Sequence, residues 1–151
     1  MKALLGSLVL LAALAGCSSE DDGSAKDPAT RPSEPGDAKV VAIVGGSAAG
    51  GDVAQTVTVL DDAGAVRHFL KQFRSPPFAS DVRAALQSHP PAEGRVLGAV
   101  VMEVSCDIPP SATVAEVDGA YVVTPGKVPA PHPECFAAVT SVAIVDLPAA
   151  G

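Results

Sequence analysis

Two nearly unbroken apolar runs, Val96 to Ser105 and Phe136 to Leu147, constrain this chain more than any other feature in it. Neither alternates polar with apolar at every second position, which is the pattern of a strand with one wet face. Each has the length of a strand, so each is expected at the centre of a sheet, covered on both sides. Twenty valines lie beyond position 38, where the aromatics are only Phe69, Phe73, Phe78, Phe136 and Tyr121. A β-branched interior of this kind favours sheet over helix.

The stretch between Lys39 and the first run supplies the other elements. Lys39 to Val44 reads as a strand, Gly45 to Asp52 as a glycine-rich hairpin connection, and Gln55 to Leu60 as a second strand. Asp61 or Asp62 then caps a helix. Val66, Phe69, Leu70 and Phe73 recur on one face of it, and Pro76-Pro77 is expected to stop it. A shorter helix is expected from Ser80, as its N-cap, to about Ser88. After the first apolar run, Thr113 to Val117 and Ala120 to Thr124 flank Asp118-Gly119, a strong two-residue hairpin signal. Helices grouped between runs of strands predict an α+β domain: an antiparallel sheet of about five to six strands with two helices packed on one face.

The 151 residues allow one domain with an appendage. Seventeen acidic side chains stand against ten basic ones, for a net charge of −7, and only 3% of residues are aromatic. That balance argues against the basic, aromatic-studded surface that nucleic-acid binding requires.

The N-terminus has its own character. Lys2 and the amino group precede an apolar run from Ala3 to Leu14. A dozen residues are too few to cross a bilayer, which takes about 20 in a helix, but they suit a secretory signal peptide. The run ends in Leu14-Ala15-Gly16-Cys17, which resembles the lipobox of bacterial lipoprotein precursors. The resemblance covers some seventeen residues. It implies that residues 1–16 are removed, that the Cys17 thiol carries a diacylglycerol, and that the new amine is often acylated. Two or more acyl chains anchor stably where one is reversible, since each buried methylene contributes about 0.8 kcal/mol. An exported, outward-facing, membrane-anchored protein follows as an expectation. Ser18 stands where an Asp tends to retain diderm lipoproteins at the inner membrane, so the outer membrane is open to it in a diderm cell.

Residues 17–38 read as a tether. From Ser18 to Ala38 there is no aromatic or β-branched aliphatic residue, while Glu20, Asp21, Asp22, Asp27, Glu34 and Asp37 outnumber Lys26 and Arg31. Such a composition cannot bury enough apolar surface to offset its ordering entropy. Pro28, Pro32 and Pro35 stiffen it. Residues 39–151 are then the folded domain.

With Cys17 assigned to lipid, Cys106 and Cys135 remain as an even pair in an exported chain, and a disulfide is the natural reading. Cys106 closes the first apolar run and Cys135 opens the second, so antiparallel neighbours would bring them to one end of the sheet. A closed loop of about 30 residues contributes roughly 3.6 kcal/mol in the chain-entropy model. The alternative, a metal held by Cys106, Cys135, His132 and an acid from Asp107 or the nearby Glu134, lacks the two close ligand pairs of a structural zinc site. Neither a metal nor a cofactor is expected.

Catalytic signals are weak. Gly45 to Gly51 has neither the G-K-[ST] ending of a phosphate loop nor the spacing of a dinucleotide fingerprint. His68, His89 and His132 have no partner at triad spacing, and no G-x-S-x-G elbow occurs. The reading is therefore a non-enzymatic binding module for an envelope protein or small ligand, with an unrecognised hydrolase as the remotest alternative. Between them stands a protease-inhibitor-like or accessory subunit acting through residues 125–134, where Lys127, Val128, Pro129 and His132 are the candidate contact residues. Prolines and an adjoining disulfide would pre-order that loop.

Overall fold

A computed structural model describes residues 37–150. Cys17, the signal peptide and all of the tether but Asp37 and Ala38 lie outside the described residues. In chain order the elements are β1 (Lys39–Ser47), β2 (Thr58–Val59), α1 (Ala63–Leu70), α2 (Pro76–Ser88), β3 (Arg95–Ser105), β4 (Ala112–Val117), β5 (Ala120–Pro125) and β6 (Val139–Pro148). All strand pairings are antiparallel, in a four-stranded sheet ordered β1-β6-β3-β2 and a β4-β5 hairpin. The fold is α+β.

The two apolar runs become β3 and β6, neighbours at the centre of the larger sheet from Arg95↔Pro148 to Ser105↔Val139. Alternate residues point to opposite faces, and each face meets its own core. Leu97, Ala99, Val101, Val142 and Ile144 face the helices, together with Phe69, Phe73, Phe78, Val82 and Leu86. Val100, Met102, Ala143, Val145 and Leu147 face the other way, against Val57, Val123, Val114 and Tyr121. The six strands are thus split so that the hairpin covers the sheet face that the helices leave bare.

Residues 54–60 join the two sheets. Ala54 and Leu60 donate backbone N–H groups to Val101 and Leu97 of β3 at 3.0 and 2.8 Å. Between them Val57 donates to Tyr121 at 2.8 Å, and Gln55 accepts from Val123 of β5 at 3.0 Å. The predicted strand Gln55–Leu60 is therefore shared between two partners, which leaves only Thr58–Val59 as regular ladder. At the far side β4 runs beside β1, so the strands curl around the second core much as a barrel would.

Three expectations are corrected. Residues 45–52 do not connect a hairpin, because β1 and β2 lie at opposite edges of the sheet. β1 continues through Gly45-Gly46 to Ser47, and the chain then crosses the end of the sheet. There it is pinned by Thr140 Oγ1 donating to the Gly50 carbonyl (2.8 Å) and by Arg74 N–H donating to Ala49 (2.8 Å). Second, Pro76-Pro77 begins α2 instead of ending α1. A proline in the first turn gives up an N–H that has no helical partner anyway, and the Ser75 hydroxyl caps by accepting from Phe78 N–H at 3.4 Å. Phe73 thus lies beyond α1, yet stays buried edge-on between the rings of Phe69 and Phe78.

The third correction is at Phe136, expected inside the last strand and found fully exposed. The β3–β6 register ends at Ser105↔Val139, so an extended ladder would set Cys106 opposite Ala138. Cys135 is bonded to Cys106 instead, with Cα atoms 5.4 Å apart. Residues 136–138 are then surplus chain, and Phe136 is thrust outward.

Candidate functional site

The loop between β5 and β6 is held at several points. Gly126 N–H donates to the Ser111 carbonyl at 2.8 Å where the loop leaves the hairpin. The disulfide Cys106–Cys135 holds the far end. Between them, Asp107 accepts from the His132 backbone N–H at 2.8 Å and from the His132 ring Nδ1. A carboxylate can only accept, so Nδ1 carries the proton in this pair. The ring hydrogen bond first, and the backbone N–H after it, hold the Asp107 carboxyl below its usual value, against a smaller opposing effect of burial. Ser105 Oγ, in turn, lies 2.8 Å from both a Glu103 carboxylate oxygen and the Asp107 carbonyl, which compete for its single proton.

Of the residues expected to make contacts, Lys127, Pro129 and His132 are exposed, whereas Val128 is half-buried and does not project. Phe136 was not among them, because its place in an apolar run disguised it as core. It is the most exposed large apolar side chain among the described residues. His68 is exposed on α1, and His89 bonds within its own helix end, to Ser88 Oγ and the Ala85 carbonyl.

A second candidate lies on the opposite flank. Between α1 and α2, beside Leu60 and Leu97, lies an open groove of about 490 Å³. Leu60 and Leu97 form its floor, and Val66 of α1 and Leu86 of α2 its walls. Three polar groups border it: Arg67 from α1, and Arg83 and Gln87, one turn apart on α2. Neither guanidinium forms an ion pair with any described residue. Its volume falls within the roughly 300–1,000 Å³ typical of small-molecule sites. Sequence periodicity marks Val66 and Leu86 as inward-facing but carries no information on how two helices pack together.

No family model, curated protein or solved structure matches this chain.

Proposed function

We propose that this chain is an exported lipoprotein whose domain works by binding. In this reading acyl chains on Cys17 hold it at a membrane surface facing outward, and the acidic segment after Cys17 spaces the domain from the lipid. The observation that carries it is the Cys106–Cys135 bond. Such bonds persist in oxidising compartments, where a signal peptide ending in a lipobox would deliver the chain. The test is metabolic labelling with an alkyne fatty acid. The wild-type chain is labelled and partitions with membranes, Cys17→Ala is neither, and labelling that survives in Cys17→Ala overturns the reading.

One observation favours a second reading, in which the domain is an accessory or inhibitory subunit. Residues 126–138 are braced by His132–Asp107 and by the disulfide, and they present Phe136 to solvent. An exposed aromatic on a pre-ordered loop is a natural anchor for a protein partner. Phe136→Ala abolishes partner capture in this reading and leaves it unchanged in the first.

A further inference from the structure

We infer that the groove between α1 and α2 is a binding site for a single-chain amphipathic carboxylate, a free fatty acid in chemical class. The inference rests on reading the domain as a binding module and names what it binds. Charge complementarity is the starting point. The domain is acidic overall, yet Arg67 and Arg83 border one apolar groove, and no described carboxylate pairs with either. Guanidinium groups present planar donor forks that match a carboxylate, and Gln87 adds an amide donor beside Arg83.

The remainder of the groove selects the tail. Leu60, Val66, Leu86 and Leu97 offer aliphatic carbon only. A peptide lying there would bring amide groups that need partners. The lining holds one carboxamide, and the backbone N–H of Leu60 is already donated to Leu97 at 2.8 Å. Amides left unpaired against an apolar floor are costly, whereas a hydrocarbon chain brings none. The volume of about 490 Å³ suits one small amphiphile and is too small for a two-chain lipid.

The experiment applies a diazirine-bearing fatty acid to membranes containing the full chain, irradiates, and maps the labelled peptides by mass spectrometry. Label is expected on the peptides of α1, α2 and the start of β3. It falls about tenfold or more in Arg67→Ala/Arg83→Ala, and likewise when the probe is the corresponding alcohol. Ala63→Trp fills the groove and removes label, while the exposed arginine substitutions keep the test independent of packing. Equal labelling by the alcohol, label mapping elsewhere, or label indifferent to both arginines overturns the assignment. Native mass spectrometry of the purified full chain separates the two possible failures. A non-acid small molecule that co-purifies with wild type and not with Ala63→Trp overturns the fatty acid and leaves the binding module standing. If neither the probe nor any co-purifying molecule responds to Ala63→Trp, binding at this groove falls as well.

Discussion

Asp107 accepts hydrogen bonds from both the backbone and the ring of His132, across 25 residues of chain and one position away from the disulfide at Cys106. Two unlike tethers therefore hold the same loop to the same corner of the sheet, one covalent and one electrostatic. They respond to different conditions, so each can be released separately.

Asp107→Ala is expected to loosen residues 126–134 without melting the domain, since Asp107 contributes nothing to either apolar core. Amide exchange read by mass spectrometry should speed up in that segment and stay unchanged in β3 and β6. The pH dependence has a definite sign. The Asp107 carboxyl is lowered from 3.8 in the folded chain, so its contribution is complete above that ordinary value. It is lost as pH falls through the lowered folded value. Protection of the His132 amide should therefore persist at pH 5 and vanish only in stronger acid; early loss, well above the ordinary carboxyl range, would contradict the assignment.

Removing the disulfide should cost more. Cys106 and Cys135 are separated by 29 positions, and the closed loop contains the whole β4–β5 hairpin. The chain-entropy model puts Cys106→Ala/Cys135→Ala at about 3–4 kcal/mol of lost stability. Urea unfolding with and without reductant measures it, with wild type under reductant matching the double variant.

Arg95 and Asp146 form another long-range polar contact, at 2.8 Å, between the first residues of β3 and the last of β6. Both side chains are largely buried, and Lys39 approaches the same carboxylate at 3.4 Å. Arg95→Ala leaves the shielded Asp146 carboxylate to the more exposed ammonium of Lys39 and should cost about 2–3 kcal/mol. The paired change Arg95→Met/Asp146→Leu should recover much of that loss, because an apolar pair leaves no buried charge and the exposed Lys39 is solvated by water. Denaturant midpoints of the three chains decide it.

Gly46 lies where α2 crosses β1. A Cβ built there would stand 2.2 Å from the Phe78 ring, which is 3% exposed and wedged edge-on to Phe73. Gly46→Ala should destabilise by about 1–3 kcal/mol. Gly119→Ala, in the open hairpin turn at φ 77°, meets no neighbouring atom and costs only backbone strain. A thermal shift larger for Gly119→Ala than for Gly46→Ala would contradict this packing.

Central strands announce themselves in sequence because burial on both faces leaves no polar alternation, and β3 and β6 were legible for that reason. The Asp118-Gly119 turn was legible too, since its two positive φ values, 51° and 77°, are what those residue types permit. The pairing of residues 54–60 with two different sheets was not legible, because hydrogen bonds to β3 on one side and β5 on the other leave no mark on side-chain periodicity. Pro76-Pro77 was ambiguous in principle, as the same residues can follow one helix or open the next. Cys106 and Cys135 were readable as a pair, but the offset of three residues between their bond and the start of β6 was not. Phe136 owes its exposure to that offset. Nothing in the sequence marks the groove, because Arg67, Arg83 and Gln87 come to border one cavity only through the packing of two helices.

The most direct test of the whole account counts accessible thiols on the chain isolated from its own cells, by maleimide tagging and mass spectrometry. Cys17 carrying a thioether-linked lipid reacts neither before nor after reduction, while Cys106 and Cys135 react only after it. The account predicts no tag on the native chain and two tags on the reduced chain, both within the described domain. One tag before reduction, at Cys17, would contradict lipidation, and three would contradict export and the disulfide together.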